Sequence, residues 1–361
     1  FSLFLCDRSW VNIHACINSI SMRTPHHNAR GVGQVVCALL LGSLATTFGA
    51  FSNEINPRTG RPHNEIIVGG LGIRGEEILY TSWNATFSTY LTENVDPALN
   101  LTFKLVYLNF ETTYTFVEQK AVDLVYTNPS AYACLENEFG AAPLASLRNR
   151  LRVGDTVYEV QEFYGTFIVR NDSSIYNISE ITGKTVEAVS LVGLGAAQLQ
   201  WYELNQRGIS FLGAPRQVRF SNSQKKIIED VIAGEVDIGM IRTDLFERFV
   251  ADGVFPAGAV RVLEDRRLLD PNNTFPFPYS TRLAAPEWSL SALPHVPWEI
   301  GRAVSEALYA ITEDDEAAKA ANYATWTAPL SYQGMHRMQR TLNLINEDFQ
   351  CIRAGDICQT T

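Results

Sequence analysis

Short apolar runs alternate along this chain with stretches in which apolar positions recur every third or fourth residue, the pattern of strands and helices taken in turn. Glu65-Ile-Ile-Val-Gly-Gly-Leu-Gly-Ile73 reads as a strand, and Ile78, Leu79, Trp83, Phe87 and Leu91 put one apolar face on the helix that follows. Thr102 to Leu108 is predicted as a second strand and Glu111 to Lys120 as a short helix. Ala121-Val-Asp-Leu-Val-Tyr-Thr-Asn-Pro-Ser-Ala-Tyr132 then opens apolar and turns abruptly polar. That is a strand emptying into a helix, with Thr127 or Asn128 as N-cap and Pro129 at the first helical position, so that backbone N–H groups and small hydroxyls face the strand end. Glu235-Val-Asp-Ile-Gly-Met-Ile-Arg-Thr-Asp244 repeats the design ahead of a helix over Leu245 to Ala251.

Leu151 to Val169 alternates and reads as extended chain crossing between lobes. Ile181 to Val189 gives a turn and a strand, followed by Ser190-Leu-Val-Gly-Leu-Gly195 and a helix from Ala196 to Asn205 that stops at Gly208. Ser221-Asn-Ser-Gln caps a helix carrying Ile227, Ile228, Val231 and Ile232, which Gly234 ends. From Val260 the chain returns through the aromatic, Pro-rich Phe275 to Leu283 segment, and helices are expected over Pro297 to Ile311 and Glu313 to Ala324, the second capped by Thr312. Trp326 and Tyr332 are expected to pack the end of the domain. Two strand-to-helix elements of one design imply two α/β lobes, and in parallel sheets ligands sit outside the carboxyl ends of the strands.

Composition narrows the class. The 361 residues are 46% hydrophobic and 19% charged, enough for two packed domains. A net charge of −10 argues against a nucleic-acid surface, although a local positive site can exist in an acidic protein. Met22 to Arg30 is basic, Val35 to Phe48 apolar, and Ala50-Phe-Ser52 small, so residues 1–52 are expected to be a leader, with a signal peptide from Met22 or a signal anchor. Sequons at Asn84, Asn100, Asn171, Asn177 and Asn272 agree with export of a secreted glycoprotein. Cys351 and Cys358, close together in the tail 346–361, are expected either to form a local disulfide or to begin a stalk, and Cys134 to be a small buried hydrophobe.

Candidate chemistry is sparse. Gly70-Leu-Gly-Ile-Arg-Gly75 matches a dinucleotide-binding glycine pattern, but Glu76 and Glu77 would meet the pyrophosphate, so the glycines read as turn residues and no cofactor is expected. The Ser190 to Gly195 loop suits oxyanion capture; a tight turn with no ligand is the alternative. Tyr279, Ser280, Thr281 and Arg282 form either a cleft wall or a surface loop. No metal-ligand spacing appears, and after residue 52 histidine occurs only at 63, 295 and 336, which weakens the competing reading of a secreted enzyme with a Ser190 nucleophile and an Asp244 base. Iron capture by converging tyrosines and a carboxylate lacks its cluster.

Val122 to Tyr132, Ile181-Thr-Gly-Lys-Thr-Val186, Gly234-Glu-Val-Asp-Ile-Gly239 with Arg242-Thr-Asp244, and Phe277-Pro-Tyr-Ser-Thr-Arg282 together resemble the phosphate/phosphonate-binding family of periplasmic solute-binding proteins, and within it the sensor domains of tetrathionate-type sensor kinases. The resemblance implies a type II bilobal α/β fold with a ligand cleft between the lobes. Residues 65–163 would begin lobe 1, 164–262 form lobe 2, and 263–345 return to lobe 1 with the C-terminal helices. It also implies a small anionic ligand, bound by Arg74, by Tyr126, Thr127, Asn128, Ser130 and Tyr132, by Ser190, Gly193 and Gly195, by Arg242, Thr243 and Asp244, and near the hinge by Tyr279 to Arg282. A transporter or membrane receptor region would be the partner. Where phosphonate binders carry a Ser-Thr-Ser-Gly loop, this chain has Ser-Leu-Val-Gly, so a sulfur oxyanion or organic acid is as good a candidate as phosphonate.

Overall fold

Glu65–Leu71 (β1) is buried at every position after the first, as a strand covered on both faces must be. The computed structural model describes Ile55 and residues 60–269, 272–346 and 350–352, all within a unit that runs from residue 50 to 361. The leader expected over 1–52 and the tail cysteine Cys358 lie outside the described residues.

After β1 come Glu76–Asn84 (α1), a π-helical turn through Ala85–Tyr90, and Leu91–Asn94 (α2). Thr102–Leu108 (β2), Thr112–Glu118 (α3), Leu124–Thr127 (β3), Pro129–Phe139 (α4), Ala142–Val153 (β4) and Thr156–Val160 (β5) follow. β1 pairs in parallel with both β2 and β3, so three strands of this lobe end on one side. Glu162–Phe163 (β6) carries the chain into the second sheet, built from Gly165–Arg170 (β7), Thr185–Ala188 (β8), Gln217–Phe220 (β9), Ile238–Arg242 (β10) and Val260–Val262 (β11) in the order β11-β7-β10-β8-β9. Leu199–Gln206 (α5), Gln224–Ala233 (α6) and Leu245–Ala251 (α7) connect its strands.

The return crossing is Ala285–Pro286 (β12), which pairs antiparallel with β6. Ser289–Ala292 (β13) then inserts between β3 and β4, and after Trp298–Ala310 (α8) and Glu316–Ala321 (α9) the strand Tyr323–Thr327 (β14) adds to the outer side of β4. Gln333–Thr341 (α10) closes the described fold. This is the type II periplasmic-binding-protein fold, two α/β lobes joined by two crossing segments. Phe87, Tyr126, Val304, Leu308 and Trp326 fill one face of the first sheet, and Phe167, Val186, Ile238 and Met240 fill the second lobe. Behind the crossing strands Phe163, Leu194, Leu199, Ala285, Met335 and Met338 form an apolar patch shared by both lobes.

Three expectations are corrected. The helix expected over Glu313 to Ala324 is only α9; Asn322 takes a left-handed φ of 55° and ends it. Tyr-Ala-Thr-Trp-Thr is aromatic and β-branched, and pairing with β4 wins. Thr312 is not the cap, since Asp315 occupies that position and its carboxylate accepts from the Thr312 N–H and hydroxyl. Cys351 is bonded to Cys134 across 217 residues rather than to Cys358, so Cys134 is a cross-link as well as a buried side chain. The reason is packing: the segment after α10 folds back on α4, where the Cys351 N–H donates to Glu138 Oε1 at 2.6 Å.

Candidate functional site

The ends of β1, β3 and β10 supply the chemistry. Asn128 is the N-cap of α4, its Oδ1 accepting from the Ser130 and Ala131 N–H groups at 3.0 and 3.0 Å. The first free amides of that helix are therefore already partnered, and Ser130 faces α10, with Gln339 Nε2 donating to its carbonyl and Oγ. Tyr132 packs against Tyr332, ring centroids 4.5 Å apart, and Thr127 is fully buried. Of this stretch, Tyr126 is the residue tied electrically to the arginines. Its hydroxyl is pushed well above its ordinary range, first by burial and then by the charge of Glu287, while Arg242 and Arg74 act in the opposite direction.

On lobe 2, Arg242 closes β10. Its Nη2 donates to Glu287 Oε1 at 2.6 Å and its Nε to Asp244 Oδ1 at 3.2 Å. Its guanidinium carbon lies 4.0 Å from the centroid of the Phe163 ring. Burial works against the charge, but Glu287 and Asp244 outweigh it and hold the guanidinium more firmly protonated. Asp244 also pairs with Arg248 Nε at 2.8 Å, one turn along α7. Gly195 makes this packing possible: a Cβ there would stand 3.0 Å from Arg242 Cβ and 3.2 Å from the Phe163 ring. Gly193 and Ser190 form the turn that leads in, the Gly193 N–H donating to the Ser190 carbonyl at 3.0 Å. Thr243 is buried and ties lobe 2 to the crossing, accepting from the Tyr164 N–H.

Arg74 lies exposed in the loop between β1 and α1. Among the described residues it forms no ion pair or hydrogen bond; although the residue reaches solvent, the protein atoms crowded around its head group, and then the charge of Arg248, lower its basicity. The hinge tetrad divides. Thr281 Oγ1 accepts from the Gly165 N–H and Ser280 Oγ from the Phe167 N–H, so both hold the crossing together. The Tyr279 ring packs against Tyr164 at a tilt of 34°, and Arg282 is exposed beside Glu203 at 4.0 Å. The structure thus brings Arg242, Asp244 and Gly195 together at the end of β10, joins Arg74 and Tyr126 to that cluster only through the reach of charge, and places Tyr132 and Ser130 against α10.

Sequence reasoning missed Glu287 and Arg248. Arg248 could have been found, standing four residues after Asp244 on the same helix face. Glu287 carried no signal, because only the return of the chain puts it opposite β10. The asparagines of all five sequons are exposed. A small cavity of about 40 Å³ lies apart from the arginines, between Ser130, Val192, Gln198, Gln339 and the Cys134–Cys351 bond. No group of three or more metal-ligating side chains occurs among the described residues, and no helix among them is long and apolar enough to cross a membrane.

Residues 76–331 match the family model described as ABC transporter, phosphonate, periplasmic substrate-binding protein. The tetrathionate sensor histidine kinase TtrS of Salmonella typhimurium is 26% identical over 281 residues, which are 76% of this chain and 43% of that protein. The chain thus spans less than half the length of this relative. XAC2383 from Xanthomonas citri, solved bound to chloride ion, superposes with a TM-score of 0.60 at 14% identity, over 77% of this chain and 96% of the other. PhnD1 from Prochlorococcus marinus, solved with methylphosphonate, does so with a TM-score of 0.55 at 15% identity, over 78% and 98%.

Proposed function

Because the chain belongs to the phosphonate-type periplasmic substrate-binding family, we propose that it is an extracytoplasmic receptor domain whose lobes close on a small anionic ligand, a sulfur oxyanion, a phosphonate or phosphate, or an organic acid. The fold and the family are those of binding proteins. The observation that carries the reading is Arg74, a cation with no carboxylate partner among the described residues, standing at a parallel strand end within electrostatic reach of Tyr126 and Arg248. Arg242 and Arg248 are anchored by Asp244 and Glu287, so they fix the far wall while Arg74 is available to the ligand.

Closure then works as a population shift: the ligand stabilises the closed form by as much as it binds it better than the open one, typically about 1–3 kcal/mol. The relative at 26% identity is a sensor kinase, which supports passing the closed state to a signalling region or to a transporter. Exposure of Asn84, Asn100, Asn171, Asn177 and Asn272 supports glycosylation after export.

The test is calorimetric titration of the purified protein with phosphate, phosphonates, sulfate, thiosulfate, tetrathionate and small carboxylates. At least one anion class is expected to bind, and to raise the melting free energy by about 2.7 kcal/mol at 100 times its dissociation constant. Arg74→Ala is expected to weaken that binding by about 2 kcal/mol, roughly 30-fold, with the melting temperature unchanged. Equal affinity in the variant would move the site away from the end of β1.

A further inference from the structure

A side chain of lobe 2 reaches across to the other lobe. Arg242, at the end of β10, donates from Nη2 to Glu287 Oε1 at 2.6 Å, and its guanidinium carbon lies 4.0 Å from the centroid of the Phe163 ring in the first crossing. Glu287 stands between β12 and β13, where the chain re-enters lobe 1. Its N–H donates to the Gln161 carbonyl at 2.8 Å, its carbonyl accepts from the Tyr332 hydroxyl at 3.0 Å, and Asn149 Nδ2 of β4 donates to Oε1 at 3.3 Å. The Arg242–Glu287 pair is therefore a contact between lobes, and Glu287 is only 1% exposed within it.

The lobes meet elsewhere as well. α7 of lobe 2 lies against β4 of lobe 1. Val192 and Gln198 of lobe 2 share the walls of the cavity of about 40 Å³ with Ser130 and Cys134 of lobe 1. The arrangement is a closed one. Within it the charges form a chain joined by direct contacts: Glu287 holds Arg242, Asp244 Oδ1 accepts from Arg242 Nε at 3.2 Å, and Asp244 Oδ2 lies 2.8 Å from Arg248 Nε. Two guanidinium groups meet two carboxylates. Without Glu287, Arg242 and Arg248 would share Asp244 alone, and an uncompensated charge costs most where water is excluded. Opening would relieve that cost by letting water reach Arg242.

We propose that Glu287 is a positioning residue for closure: its carboxylate is the built-in counter-ion of Arg242, and it lets the two lobes shut against each other before any ligand has arrived. The inference rests on the receptor reading above, in which closure is the working motion, and adds what sets its balance. With Glu287 in place part of the closing free energy is already supplied, so the ligand has less of the equilibrium to shift. Affinity is then tuned by a residue that need not touch the ligand.

Small-angle X-ray scattering of the unliganded protein and of Glu287→Gln reads this. The comparison is made at about pH 6, where Glu247, its carboxyl raised to about 7 by burial and by Asp244, is mostly neutral and does not act as a substitute counter-ion. The radius of gyration, roughly 20 Å for a compact chain of this length, is expected to rise by about 1 Å in the variant, with the far-ultraviolet circular dichroism unchanged. Adding Arg248→Gln leaves Asp244 to Arg242 alone and is expected to bring the radius back to the parent value. That rescue separates charge balance from packing, since a second truncation does not repair a packing defect. An unchanged radius in Glu287→Gln, or no recovery in the double variant, overturns the inference. Should Glu287→Gln not fold, the double variant is expected to fold and to scatter as the parent does, and its failure to do so overturns the inference equally. No ligand enters these comparisons, so the absence of any binding anion in the full panel overturns the receptor reading without deciding the scattering result.

Discussion

At the scale of single residues, the cleft depends on one absent side chain and one displaced proton. Gly195 lets Arg242 lie between Phe163 and the two carboxylates, and its replacement by Ala would place a methyl group against Arg242 Cβ and the Phe163 ring. Gly195→Ala is expected to cost about 1–3 kcal/mol and to weaken anion binding with it, read by thermal melting and by titration of the same sample. A variant as stable as the parent would mean that Arg242 has room to step aside. Glu247 gives a test in pH. Burial, with the charge of Asp244 adding to it, lifts its carboxyl from the ordinary 4.5 to about 7. A raised carboxyl favours the fold when protonated, so its contribution is fully present below pH 4.5 and is lost as pH rises through 7. Glu247→Gln is therefore expected to be more stable than the parent above pH 7, by on the order of 2 kcal/mol, and to match it near pH 4.5. Melting at both pH values checks the sign.

At the scale of elements, local pattern and long-range pairing part company. β2 and α7 have the bounds that their apolar spacing predicts, and Asn128 with Pro129 opens α4 as a cap and first-turn proline should. What failed was long-range. The Ala-rich stretch before Asn322 is helical by propensity, but residues 323–327 are drawn into the sheet by β4, a partner far away in sequence. The cleft was legible in part for the same reason. Arg242 and Asp244 sit on one turn and could be read together, whereas Glu287 meets them only through the return crossing. The Cys134–Cys351 bond belongs to this class also. It fastens the segment after α10 to α4, so its reduction, or Cys351→Ser, is expected to cost about 2–5 kcal/mol. Hydrogen exchange should then rise in α10 before it rises in β1. Unchanged protection in α10 would show that Met335, Met338 and Leu342 hold that helix without the cross-link.

At the scale of the whole molecule, two paired crossing strands and one shared apolar patch join the lobes. Such a joint permits rotation of one lobe against the other with little change inside either, so ligand is expected to reduce the radius of gyration in X-ray scattering while the far-ultraviolet circular dichroism stays the same. A ligand that binds without changing the scattering would point to a cleft already shut. The strand order also sets a timetable for synthesis. All five strands of the second sheet come from one uninterrupted stretch, residues 165–262, and can pair as soon as that stretch leaves the ribosome. The first sheet cannot be finished by then: the place between β3 and β4 waits for β13, and the outer side of β4 waits for β14. Lobe 2, although second in the sequence, is thus the first that can be complete, and the earlier half of lobe 1 emerges with open strand edges that a chaperone or a neighbouring nascent chain could seize.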